Sequence, residues 1–306
     1  MLTRGDYDGR VRPSLAAAMS APRRALTFGV VLVAVAIGAV MMLERRAGPL
    51  SEWWLAPPVL AFALAATTAA HNLGRARSAM RTALFREAGA SAWPGASFDA
   101  EARIPREWID RAGLFVGASE EELDGLLRIE VGGVAVAISG GTVFAKSGTG
   151  AREGRHPVFT GTLFAAGLGQ GARPAVVALS PREAAFHPEP PALAGAGALP
   201  LGVPEADAAF RVRAGAAGDA ARVFPEYVAL ALAALGPRAA GLRLVVLDNV
   251  VVGAVERPPL ELSVFTPPPD FEAVAADVAR IDDVLALVGE VAASPVLGPV
   301  PLPPLP

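Results

Sequence analysis

Cysteine is absent from this 306-residue chain, so disulfides, thiolate metal sites, iron–sulfur clusters and cysteine nucleophiles are excluded together. Lysine is almost as scarce, Lys146 being the only one, and histidine is confined to His71, His156 and His187. A net charge of -3 with no dense basic cluster supplies no field for a nucleic-acid backbone, which needs clustered Lys and Arg. No Gly-x-Ser-x-Gly elbow occurs, so the usual sign of serine hydrolase chemistry is missing. What is abundant is apolar: hydrophobic residues make up 53% of the chain against about 45–50% in ordinary soluble domains, and mean hydropathy is +0.42. Part of this surface is therefore expected to face lipid. Arginine in place of lysine, with many Ala, Gly and Pro, points to a GC-rich bacterial coding sequence.

The excess is concentrated near the N-terminus. Residues Ala25 to Leu43 carry no charge, and at 1.5 Å rise per residue they reach about 28 Å, close to the hydrocarbon thickness of a bilayer. Glu44, Arg45, Arg46, Gly48 and Pro49 interrupt the run, and a second uncharged stretch extends from Trp53 to Ala70. Together they predict a transmembrane helical hairpin over 25–72. Trp53 and Trp54 fall at an interface, where indole rings prefer to sit. Arg4, Arg10, Arg12, Arg23 and Arg24 precede the first span, and Arg75, Arg77, Arg81 and Arg86 follow the second. Positive flanks stay in the cytoplasm, so both termini are expected there, in a multi-pass protein of the bacterial inner membrane. Arg23, Arg24, Arg75 and Arg77 join the two tryptophans as expected membrane-interface residues. A cleaved signal peptide fits poorly, since its apolar core is usually about 7–15 residues and ends at small residues, whereas Met41, Met42 and Leu43 run into Glu44 here. Neither span carries a charge or a polar break, which leaves a transport component as the weaker third reading.

After a basic N-terminal segment (1–24) and the hairpin come a juxtamembrane stalk and linker (73–97), an α+β domain (98–292) and a proline-rich tail (293–306) with PxxP spacing. In the stalk, Leu73, Met80 and Leu84 share one helical side. Gly89 to Phe98 reads as linker. Pro105 to Ala112 predicts a helix closed by Gly113. Ser119 and Glu122 have capping-box spacing, which reads Glu120, Glu121 and Glu122 as a helical first turn. Strands follow: 126–131 and 134–139 flank the turn pair Gly132-Gly133, and 142–146, 158–165, 175–179 and 210–213 continue the series. Pro181 to Pro204 is expected to be irregular. A helix is expected from Phe224 to Leu235, then strands 242–247 and 250–255 across Asp248-Asn249. These last two are apolar without alternation, which implies burial on both faces. Glu261 to Phe265 closes the strands. Asp270 then caps a helix whose apolar stripe is Phe271, Val274, Val278, Ile281, Leu285 and Val288. The expected class is α+β: a mostly antiparallel sheet domain with packed helices, behind a transmembrane hairpin.

With these elements placed, the chain resembles the bacterial membrane-protein family known as domain of unknown function 3137, some of whose members carry the label galanin. The resemblance rests on Gly113-Leu114-Phe115, Glu122-Leu123-Asp124-Gly125, Phe159-Thr160-Gly161-Thr162-Leu163-Phe164, Phe210-Arg211-Val212, Ala220-Ala221-Arg222 and Val264-Phe265, over roughly residues 100–290. Where that family has an acidic, amide-bearing turn after the Phe-x-Gly-x-Leu-Phe strand, this chain has Gly167-Leu168-Gly169-Gln170-Gly171. The resemblance implies no established activity, and it implies a LemA-like membrane protein as a partner.

No catalytic set, cofactor site or metal site emerges from the spacing. Glu153 and His156 lie three apart but in a glycine-rich loop, not on a helical face. Gly148-Thr149-Gly150 and Gly167–Gly171 lack the lysine and the strand-to-helix setting of phosphate loops. His187, beside Pro188 and Glu189, reads as a solvated loop residue. The leading expectation is thus a membrane-anchored cytoplasmic binding or regulatory module, with a membrane-tethered hydrolase or metal-dependent enzyme as the alternative. Phe159 and Phe164, five apart on a strand, point to opposite faces. The expectation is that both are buried, the alternative being that one is a docking anchor.

Overall fold

The computed structural model describes residues 2–47, 67, 79–115, 117–147, 154–167, 175–184, 187–235, 241–248, 250–256 and 267–292. The side chains of residues 21, 22, 25, 26, 28, 32, 36, 40, 43–47, 217 and 292 also lie outside the description. The expected second span, the strand from Glu261 to Phe265 and the tail fall outside it too. The chain divides into two compact units: one of Met1–Leu2, Gly89–Leu260 and Glu272–Pro306, the other of Thr3–Ala88 and Glu261–Phe271.

In the larger unit the strands are β1 (Ser97–Asp99), β2 (Ala118–Leu123), β3 (Leu126–Val131), β4 (Val134–Ser147), β5 (Gly154–Gly167), β6 (Ala175–Pro181), β7 (Ala198–Leu199), β8 (Phe210–Ala214), β9 (Arg243–Asp248) and β10 (Val250–Glu256). They form one 10-stranded sheet in the order β1-β3-β4-β5-β10-β9-β6-β8-β7, with β2 added on β4. Every described pairing is antiparallel. The fold is α+β with a large antiparallel sheet and helices.

Both expected hairpin turns form. Gly132 and Gly133 have φ of 59° and 80°, the double positive φ that a type I′ turn demands and that only glycine adopts freely. Leu247 pairs with Val250, and Asp248 takes φ 55° between them. Strands β9 and β10 are buried on both faces: Leu244, Val245, Val246, Val251, Val252 and Ala254 are each at most 1% exposed.

One sheet face holds a core of Ala178, Val245, Val252, Ala254, Ala165, Leu163 and Phe159. Helix α3 (Arg106–Ala112; α1, residues 12–47, and α2, residues 79–92, precede it in the chain) lies across β9 and β10 and brings Ile109 and Ala112 into that core. As expected it stops at Gly113, in the left-handed conformation with φ 56°. Phe115 follows it and stacks 4.7 Å from Phe159, centroid to centroid. The remaining helices of this unit are α4 (Pro204–Ala209), α5 (Ala217–Val223), which lies against β6 and β8, α6 (Glu226–Leu235) and α7 (Phe271–Ala292). Helix α7 buries Val274, Val278, Ile281, Leu285 and Val288 as its spacing predicts. Trp93 Nε1 donates to its Asp282 at 2.6 Å.

Several expectations are corrected. Residues 118–123 form a strand, not a capped helical turn, because pairing with β4 fixes them in extended conformation. Period-2 alternation then puts Glu120 and Glu122 on one face, where Arg155 and Lys146 pair with them at 2.6–3.3 Å. The expected strands 134–139 and 142–146 are one continuous β4. The Pro181 to Pro204 stretch contains a 3-10 turn at Pro191–Leu193 and the short β7. The linker expected from Gly89 is helical through residue 92, and Phe98 lies in β1.

In the smaller unit, Thr3 caps a helical turn (Arg4–Asp6) that leads through a π-helical stretch (Tyr7–Val11) into helix α1, Arg12–Ala47. Helix α2 covers residues 79–92. Val11, Leu15 and Met19 of the first segment are buried at helical spacing, as are Met80 and Leu84 of the second. Among the described residues no helix is long and apolar enough to cross a membrane.

Candidate functional site

Register determines which side chains share a face, because residues directly opposed across antiparallel strands point the same way. Ser180 of β6 is opposite Arg211 of β8, and Ala178 is opposite Arg213. Ala178 is also opposite Val245 of β9, and Leu179 opposite Leu244; continuing by one residue sets Ser180 beside Arg243. Ser180, Arg211, Arg213 and Arg243 therefore share the face that carries the Phe115 core. Ser180 stands between two arginines in one row.

The segment 187–190 lies against this row. His187 Nδ1 is 2.7 Å from Ser180 Oγ, and its Nε2 is 3.4 Å from a terminal guanidinium nitrogen of Arg211. Arginine can only donate, so Nε2 accepts and the ring proton sits on Nδ1, donating to the serine. The Ser180 O–H is thereby left to donate elsewhere. Arg213 donates to the Pro188 carbonyl and lies 3.8 Å from the exposed Glu189 carboxylate. Glu189 N–H in turn donates to the Gly113 carbonyl at 3.0 Å, which ties the segment to the end of α3.

Arg243 stands apart from the other two. It is 5% exposed, its guanidinium carbon is 5.6 Å from the centre of the Phe115 ring, and its Nε has no hydrogen-bond partner. Among the described residues no carboxylate lies within ion-pairing distance of it. Burial lowers its pKa, and the more distant Glu256 opposes that shift. The pKa of His187 is lowered too, first by burial and then by Arg211, Arg213 and Arg243, with Glu189 opposing. A histidine held neutral by positive neighbours is a poor proton acceptor and a good fixed donor. The pair with Ser180 therefore positions a hydroxyl; among the described residues no carboxylate hydrogen-bonds to the ring as in a nucleophile-activating dyad.

Sequence reading took His187 for a solvated loop residue. It is instead partly buried against Ser180. The available signal was Phe210-Arg211-Val212-Arg213-Ala214, a strand whose arginines alternate with buried residues. His156 is exposed on β5, and Glu153 lies outside the described residues; among the described residues no group of metal-ligating side chains occurs. Of the expected interface residues, Arg23 and Arg24 are exposed on α1, while Trp53, Trp54, Arg75 and Arg77 fall outside the described residues. Phe159 is 2% and Phe164 0% exposed, so neither ring is presented at the surface of this chain.

No family model matches the chain, and no curated protein matches it. Among solved structures it is similar to the crystal structure of the mycobacterial trehalose monomycolate transport factor A, TtfA. The two are 14% identical, with 68% of this chain and 92% of that chain covered and a TM-score of 0.37. A likeness of that degree carries no functional argument.

Proposed function

We propose that the chain is a membrane-anchored binding or regulatory module whose α+β unit works in the bacterial cytoplasm. The observation that carries this reading is on α1: Val30, Val31, Val35, Ile37, Met41 and Met42 are each 53–69% exposed. Contiguous exposed apolar surface of this kind needs a covering phase, and the charge-free run from Ala25 to Leu43 has the length of a bilayer core. Arg23 and Arg24 at its start favour a cytoplasmic N-terminus by the positive-inside rule. The charge-free run from Trp53 to Ala70 has the length that a return span needs, and a return span would keep the α+β unit on the side of the N-terminus. The resemblance to domain of unknown function 3137 adds a LemA-like membrane protein as the proposed partner. Reporter fusions after Arg86 and at Gly48 test the topology. Cytoplasmic reporter activity after Arg86 and periplasmic activity at Gly48 are expected; periplasmic activity after Arg86 overturns the cytoplasmic assignment.

A further inference from the structure

We propose that Ser180, His187, Arg211, Arg213 and Arg243 form a binding site for a phosphate group. This goes beyond the membrane-anchor reading and stands whether or not α1 enters a bilayer. Three guanidinium groups share one sheet face by register, with Glu189 against Arg213 at 3.8 Å and Glu256 acting on Arg243 from farther away. Taking a guanidinium out of water is costly unless it is closely paired, and Arg243 is 5% exposed with Nε unpaired and Glu256 beyond ion-pairing distance. A polyanion among these arginines supplies the close counter-charge that Glu256 and Glu189 do not. Arg211 and Arg213 are only partly exposed, the Arg213 side chain at 16%, while Arg243 and Ser180 lie deeper. The Ser180 hydroxyl, its oxygen already taken by His187 Nδ1, has a proton to give to a ligand oxygen. Forked guanidinium donors with one hydroxyl donor match a tetrahedral oxyanion with several acceptor oxygens. The phosphate is either free in solution or the headgroup of an anionic lipid.

The test uses the full chain in detergent and in nanodiscs, with inorganic phosphate, and with phosphatidic acid against phosphatidylcholine. At phosphate about five times its dissociation constant, the denaturation midpoint of the parent is expected to rise by about 2–4 °C. Arg243→Met keeps the volume and removes the buried charge. It is expected to melt at or above the parent without ligand and to bind at least about tenfold more weakly. Ser180→Ala, a smaller change, is expected to fold and to lose part of the same affinity. A response to inorganic phosphate identifies a free-phosphate site, and a response to phosphatidic acid alone identifies a headgroup site. If neither probe shifts the parent, or if both variants bind as the parent does, the proposal is overturned. An Arg243→Met chain that melts well below the parent, with Ser180→Ala binding unchanged, assigns these residues a structural role and equally overturns it.

Discussion

The Phe164 ring occupies the space that a side chain on Gly253 would need. The two residues are directly paired across β5 and β10, and a Cβ on Gly253 would stand 2.2 Å from the ring's Cζ. The Arg243 carbonyl would be 2.8 Å away on the other side. Phe164 is fully buried, so in a close-packed interior the ring can yield only by displacing its neighbours. Gly253→Ala is therefore expected to destabilise the chain by about 1–3 kcal/mol through overpacking alone. Its denaturation midpoint against the parent checks this; an unchanged midpoint would mean that the ring has room to move.

Phe159 and Phe164 are both core residues, on opposite faces of β5. Phe159 lies against Phe115 in the core that α3 completes. Each truncation to Ala is expected to cost about 3–5 kcal/mol, measured by chemical denaturation of the full chain in detergent. Because Phe115 is itself 9% exposed and stands beside Arg243, Phe159→Ala is also expected to loosen the arginine site, whereas Phe164→Ala acts on the other face. Equal loss of phosphate affinity in the two variants would contradict that division.

Gly113 has a double constraint. Its φ of 56° is left-handed, and a Cβ there would lie 2.4 Å from the Glu189 carbonyl oxygen. Gly113→Ala thus strains the end of α3 and pushes away the segment that carries His187. A loss of more than about 1 kcal/mol is expected from the backbone conformation. Hydrogen exchange should rise in residues 187–190 beyond what the global loss explains. Protection there equal to the parent's would sink the second half of this prediction.

Burial of His187, reinforced by the arginines around it, makes stability pH-dependent in a definite direction. Its pKa in the folded chain is lowered from the ordinary 6.5. As pH falls below that value the unfolded chain takes up the proton first, so the unfolded state binds more protons and stability drops. The contribution is fully present above the ordinary value and is lost on acidification through the window beneath it. Denaturation midpoints at about pH 7.5 and pH 5.5 are expected to differ in the parent and to differ less in His187→Asn, which keeps a donor for Ser180. The same pH slope in both chains would remove His187 as its source.

What the sequence determined by itself was local. Gly132-Gly133 and Asp248-Asn249 specified their hairpins because few other residues accept the required φ. Gly113 ended α3 for the same reason, and the stripe from Val274 to Val288 marked α7 by its period. The unbroken apolar runs of β9 and β10 announced burial on both faces. Tertiary structure decided everything that depends on register. Glu120 and Glu122 read as helix-capping acids until pairing with β4 made them a strand, since long-range pairing overrides a capping preference worth about 1 kcal/mol. Ser180, His187, Arg211 and Arg243 come from four segments, and none has spacing that signals the others. They meet because β6 pairs with β8 on one side and β9 on the other, and because Glu189 fastens its segment to the end of α3. Backbone conformation is limited by neighbours along the chain; which charges end up together, away from water, is set by partners dozens of residues away.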